Sequence, residues 1–168
     1  MLDIETLNEV PHAEFVALLQ GIFEHSPWVA ERAAARRPFA SCEHLLDAMR
    51  GVVDTASDAE QMALINAHPH LGARGRNKAA LTEASAREQQ RAGLDACSDE
   101  EFAELLCLNT LYVEKFSFPF ILAVRGHNPH SILANFKSRL NNVADIERRA
   151  ALAQIGLIAG YRLAELIT

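Results

Sequence analysis

Apolar residues recur at three- and four-residue intervals along nearly the whole chain, and no stretch alternates convincingly with period two. Such a pattern makes one-sided helices, and a helix with one apolar face must bury it against another. The expected fold class is therefore all-α: a single compact helical domain over residues 1–168, of about eight helices joined by two irregular loops. Starts and stops are written in the same local chemistry. Pro11 fits the first helical position of a run to Glu24 that puts Phe15, Leu18, Leu19, Ile22 and Phe23 on one face. Ser26-Pro27 reads as cap and first turn, and Ser41 caps a helix with Leu45, Leu46, Met49 and Val53 inward. Ser57 with Glu60, and Ser98 with Glu101, form capping boxes. Thr82 opens a helix that Gly93 closes, and Ala144 to Leu166 is a last long helix in which Gly156 and Gly160 admit a close neighbour.

The first irregular stretch is Ala67-His68-Pro69-His70-Leu71-Gly72. Pro69 ends the helix arriving from Ser57 and pushes His68 towards extended backbone, while Gly72 permits a positive φ. Arg74, Arg76 and Lys78 follow closely. Two titratable rings beside positive charge suit a small anionic ligand. The plainer reading of an isolated His-Pro-His is a turn whose rings face solvent.

Downstream, Ser85, Glu88 and Gln89 stand at i, i+3 and i+4 and share one helix face. That face is either solvated surface or the wall of a polar pocket. A long helix follows, with Phe102, Leu105, Leu106, Asn109, Tyr112 and Phe116 at helical spacing, and its aromatics read as core. The second irregular stretch runs from Lys115 to Arg125, where Phe116, Phe118 and Phe120 surround the helix-breaking Pro119. This predicts a buried, non-helical crossing whose backbone N–H and C=O groups need partners. A polar ligand, other side chains or water can supply them.

The composition narrows the function classes. With 49% hydrophobic and 23% charged residues the chain is an ordinary globular one. A net charge of −6 argues against nucleic acid as the main partner. The three cysteines, Cys42, Cys97 and Cys107, form no CxxC, and their odd number cannot close a disulfide framework, which suits a reducing compartment. Cys42 and Cys107 fall in helical patterns and read as small buried apolar residues. The acidic start Met1-Leu2-Asp3-Ile4-Glu5 lacks the features of a signal peptide, and the apolar stretch Ala150 to Tyr161 is short and interrupted by Gln154, so no membrane span is expected. The expected location is cytoplasmic. Gly-rich phosphate loops, HExxH and GxSxG are missing.

Taken together, His68-Pro69-His70-Leu71-Gly72, Ser85-Ala86-Arg87-Glu88-Gln89 and Tyr112-Val113-Glu114-Lys115-Phe116-Ser117-Phe118-Pro119-Phe120 resemble the OHCU decarboxylases in order and spacing. These enzymes act on 2-oxo-4-hydroxy-4-carboxy-5-ureidoimidazoline (OHCU) in purine degradation. The resemblance extends to Leu7-Asn8, Ser26-Pro27-Trp28, Arg37-Pro38-Phe39, Asn109, Arg139 with Asn141, and Glu147, so it covers almost the whole chain. It implies an all-helical fold, commonly a homodimer, that needs no metal or organic cofactor and converts OHCU to (S)-allantoin in urate degradation. The family's catalytic histidine falls on His68, and Glu88 reads as a second catalytic residue. Substrate binding falls on Pro69, Ser85, Glu88 and Gln89, and on Phe120, Ile121, Leu122, Ala123 and Val124; Arg125 is a candidate anion contact. His70 stands at a variable position and inherits no role. One departure is Ser117, where the family usually has glycine, and it puts the conformation of that loop in question.

Two other readings use the same residues. A metal hydrolase could use His68, His70 and an acidic residue, although no further ligand stands at suggestive spacing. A non-catalytic helical module could bind a ureide or a partner helix through the same loops.

Overall fold

A computed structural model describes residues 2–72 and 81–167. Arg74, Arg76 and Lys78 lie outside the described residues. Nine α-helices occur among the described residues: α1 Ile4–Glu9, α2 His12–Leu19, α3 Pro27–Ala34, α4 Cys42–Asp54, α5 Asp58–Asn66, α6 Glu83–Arg91, α7 Asp99–Phe116, α8 Pro129–Arg139 and α9 Ala144–Leu166. The only β pairing among them is an isolated bridge between Leu2 and Ile167. The fold is all-α, as the periodicity requires. The chain divides into two compact units, Met1–Ala67 with Ile155–Thr168, and His68–Gln154. Helix α9 contributes its first half to the second unit and its second half to the first.

In the first unit the core is built from Leu7, Phe15, Leu19, Val29, Leu45, Met49, Leu64 and Ile65, each almost wholly buried. Side chains knit its loops: the Asn8 amide donates to the Phe39 carbonyl and accepts from the Phe39 amide, both at 2.8 Å, while Arg37 Nη1 donates to the Val10 carbonyl at 2.7 Å. Ser41 accepts from the His44 amide, and Ser57 and Glu60 close the expected capping box. Gly156 and Gly160 do admit a close neighbour. A Cβ at either would stand 3.1 Å from an α4 side chain, Arg50 at the first and Leu46 at the second.

Three local expectations fail in this unit. The run from Pro11 breaks at Leu19, because Arg162 Nη1 donates to the Gly21 carbonyl at 3.2 Å and pairs with the buried Glu24 carboxylate at 2.8 Å. Ile22 and Phe23 are buried as expected, but from a turn, and Leu18 faces outward. Ser26 occupies the cap position of α3 without capping; its hydroxyl donates to the Glu24 carbonyl.

The core of the second unit is aromatic. Tyr112 is fully buried and meets the edges of Phe118, Phe120 and Phe136, and Phe120 stacks on Phe136 with centroids 3.8 Å apart. Aromatic pairs of this kind add to their buried area by directed quadrupole contacts. Leu106 departs from expectation, being 49% exposed, and Leu108 takes the inward place instead. Cys97 is the buried cysteine, where it donates to the Leu94 carbonyl; Cys107 is exposed and Cys42 half-buried.

Candidate functional site

The loop that carries His68 is held from two helices. Helix α5 stops at Asn66, Ala67 still donates to the Ala63 carbonyl at 2.9 Å, and His68 then lies buried at 7% exposure. His70, one residue past the proline, is exposed. Gly72 adopts φ +79, the conformation glycine reaches without steric cost. On α6, Gln89 spans the turn: its Nε2 donates to the His70 carbonyl at 3.2 Å, and its Oε1 accepts from the Gly72 amide at 3.0 Å. On α7, Asn109 Nδ2 donates to the Leu71 carbonyl at 3.1 Å. Three consecutive residues after Pro69 are thus fixed by two side-chain amides, so the direction in which the chain presents His68 is fixed too.

Helix α6 has no apolar residue larger than alanine, and it buries polar residues. Ser85 and Gln89 are inward at 4% and 7% exposure, with Glu88 half-buried between them. The stripe is largely buried rather than fully solvated. Its C-terminus is a Schellman turn: Gly93 at φ +75 donates to the Gln90 carbonyl, and Leu94 donates to that of Gln89. This closure satisfies the orphan carbonyls of the last turn and sets where the Gln89 side chain begins.

The second irregular stretch is a buried crossing, as the phenylalanines require. Pro119 and Phe120 through Val124 are all buried and lie outside helices. Helix α7 ends at Ser117, which takes a left-handed conformation with φ +63 and ψ +21 and donates to the Val113 carbonyl at 2.8 Å. A serine here does what the family's glycine would do, so the loop keeps the glycine-type turn. Two of the crossing's backbone groups find side-chain partners. Arg139 Nη1 donates to the Ile121 carbonyl at 2.5 Å, and Gln154 Oε1 accepts from the Ala123 amide at 2.9 Å. Arg125 follows at an exposed position just before Gly126, which has φ +81.

Behind the crossing lies a buried polar knot. Glu147, fully buried, accepts from Tyr112 Oη at 2.5 Å, from Arg139 Nε at 2.7 Å and from Asn142 Nδ2 at 2.8 Å. A buried carboxylate is tolerable only when paired and hydrogen-bonded in this way. Burial, and then the Glu147 carboxylate to which it donates, push the Tyr112 phenol far above its ordinary value, so it stays a donor. The Arg139 guanidinium also covers the Phe120 ring, 4.4 Å from its centroid.

Helix α7 joins the two halves. Leu105 stands against Gly72, Asn109 holds Leu71, Tyr112 meets Phe120, and Phe116 stacks on Phe118. These four positions are spaced by four, three and four residues, so they form one stripe of the helix. Through it the end of the His68 loop and the start of the crossing, Phe118 and Phe120, meet one stripe of α7, while Gln89 of α6 reaches the same loop by its own hydrogen bonds. The Oδ1 atom of Asn109 is buried there without a hydrogen-bond partner among the described residues.

Sequence reasoning missed the residues that hold the crossing. In the sequence Gln154 reads only as an interruption of an apolar stretch, and a lone amide on an otherwise apolar helix face is the signal available. Among the described residues, no group of three or more His, Cys, Asp or Glu side chains is placed to hold a metal ion. No helix of the described residues is long and apolar enough to cross a membrane.

Comparison with known proteins gives the family. The family model of the OHCU decarboxylases matches residues 8–164. A uric acid degradation bifunctional protein of Bacillus sp. (strain TB-90) is 43% identical over 99% of the chain, and the chain spans 32% of that protein's length. The 2-oxo-4-hydroxy-4-carboxy-5-ureidoimidazoline decarboxylase of Haloferax volcanii is 41% identical, the alignment covering 98% of this chain and 95% of that one. The crystal structure of an (S)-allantoin synthase superposes with a TM-score of 0.79 at 30% identity, covering 99% of this chain and 54% of its own. With the family model matching nearly its whole length, and the motifs of both loops in place, the chain belongs to the OHCU decarboxylase family.

Proposed function

We propose that this protein converts OHCU to (S)-allantoin by decarboxylation, in the degradation of urate, without a cofactor. The observation that carries the reading is the buried His68, presented by a loop that Gln89 and Asn109 clamp, together with the burial of Ser85 and Gln89 on the α6 stripe that also carries Glu88. The substrate supports a reaction of this kind by its own structure. Its C4 bears a hydroxyl and a carboxylate next to a C5=N bond. When the C4–carboxylate bond breaks, its electron pair forms the C4=C5 bond and the imine pair moves onto nitrogen, which takes a proton. The resulting enol then gives up its O–H proton and gains one at C5.

The protein has to fix the carboxylate out of the ring plane and deliver the C5 proton to one face. In this reading His68 engages the C4 hydroxyl or carboxylate and serves as proton donor or relay, since imidazole exchanges protons near neutral pH. Glu88 acts beside it, and together with Ser85 and Gln89 it holds the hydroxyl, ring amide and ureido groups. Pro69 and the backbone of Phe120 to Val124 face the ring's amide edge, and Arg125 takes an anionic group. A cytoplasmic location rests on the cysteine pattern, and a homodimer rests on the family resemblance; light scattering coupled to size exclusion measures the latter.

The test is to generate the substrate in situ from urate and follow product chirality by circular dichroism. Wild-type protein is expected to yield only the S enantiomer. His68→Asn is expected to stay folded and leave the racemic spontaneous decay, and a folded His68→Asn protein with full activity would remove the assignment. A protein that binds (S)-allantoin but leaves the substrate's decay rate unchanged would be a ureide-binding module instead.

A further inference from the structure

We infer that Gln154 and Arg139 are positioning residues that clasp the Ile121–Ala123 backbone and so set the register in which this segment meets substrate. The inference rests on the decarboxylase reading for the identity of the ligand and on geometry alone for the clasp. Backbone in an irregular buried segment has no ladder or helix to fix it, so its placement depends on what its N–H and C=O groups bond to. Here the Ile121 carbonyl is taken by Arg139 Nη1 at 2.5 Å, and the Ala123 amide donates to Gln154 Oε1 at 2.9 Å. The two contacts bracket Leu122.

The Arg139 anchor is itself held. Arg139 reaches Ile121 with Nη1 while its Nε donates to the buried Glu147, which Tyr112 and Asn142 also hold, and its guanidinium plane covers the Phe120 ring. The guanidinium therefore has one orientation available, and it transmits that orientation to the Ile121 carbonyl. Gln154 sits half-buried on α9, within the same compact unit. Arg139 and Glu147 are core members of the fold, whereas Gln154 contributes one hydrogen bond to the crossing. That makes Gln154 the position at which the clasp can be loosened without unfolding the unit. A misplaced binding backbone weakens substrate positioning more than it weakens the fold.

The experiment compares wild type, Gln154→Leu and Gln154→Glu; the glutamate keeps an acceptor oxygen at the same reach. With OHCU made in situ, Gln154→Leu is expected to raise KM about tenfold with a smaller change in kcat. It should also speed exchange of the Ala123 amide proton in NMR, with the melting temperature nearly unchanged. Gln154→Glu should restore both KM and amide protection. Wild-type KM and wild-type Ala123 exchange in folded Gln154→Leu would overturn the inference, and so would a Gln154→Glu protein that restores neither. Should Gln154→Leu fail to fold, Gln154→Met takes its place, keeping length without the carbonyl. If wild-type protein does not turn OHCU over, the decarboxylase reading falls; Ala123 exchange and (S)-allantoin affinity in the same variants then decide the clasp.

Discussion

Gly72 and Ser117 meet the same steric problem with opposite residues. Gly72 has φ +79, and a Cβ added there would come within 2.1 Å of Leu105 Cδ2. Gly72→Ala is therefore expected to destabilise by about 1–3 kcal/mol, read as a lowered urea midpoint, and trimming Leu105 to valine should recover only the contact part. Ser117 holds a left-handed conformation that costs a serine but not a glycine. Ser117→Gly should raise stability by about 1 kcal/mol, because relief of that strain outweighs the added freedom of the unfolded chain. The need for a turn was legible at both positions. That a serine would adopt it was not, since nothing in the local pattern sets φ at that point. Glu88 belongs at this scale too: half-buried on a stripe of polar residues, it is expected to lose activity as Glu88→Ala with little change in melting temperature.

At the scale of elements, helix starts were the most legible features, because a cap is a contact between residues three apart. The box of Ser57 and Glu60 shows what tertiary structure adds to one. Glu60 also pairs with Arg32 of α3, and that hydrogen bond, with those from the Ser57 amide and hydroxyl, holds its carboxyl down from the ordinary 4.5 to about 2. A depressed acid contributes stability that is present above its unfolded value and lost as pH falls through the folded one. Stability should thus decline between pH 4.5 and about 2, and Glu60→Gln should flatten that part of the profile. Urea midpoints of the two proteins across this range decide it. Helix ends were less legible. α2 stops at Leu19 because Arg162, far along the chain, takes the Gly21 carbonyl, and no local pattern contains that partner.

For the molecule as a whole, the chain forms two compact units, each built around a buried ion pair, Glu24 with Arg162 in one and Glu147 with Arg139 in the other. Removing one partner leaves a buried charge, so Glu24→Gln or Arg162→Met is expected to cost about 3–5 kcal/mol, and the double variant Glu24→Leu with Arg162→Met much less than the sum. Trp28, the single tryptophan, lies in the first unit, so its fluorescence reports that unit while far-ultraviolet circular dichroism reports all helices. Because α9 is continuous through both units, the two signals are expected to change at the same urea concentration; separated midpoints would show the units unfolding independently. What the sequence determined alone is whatever neighbours a few residues apart decide: the all-α class, the caps, the two proline breaks and the motifs that carry the family. Those features rest on helical periodicity and on contacts closed within one turn. What only the tertiary structure decided is which polar groups meet: Gln89 and Asn109 on the His68 loop, Arg139 and Gln154 on the crossing, Glu147 at the centre of its knot. Apart from Arg139 and Asn142 at Glu147, 8 and 5 residues off, their partners lie 17 to 38 residues away, and such pairs form because a buried donor or acceptor must find whatever packing brings beside it.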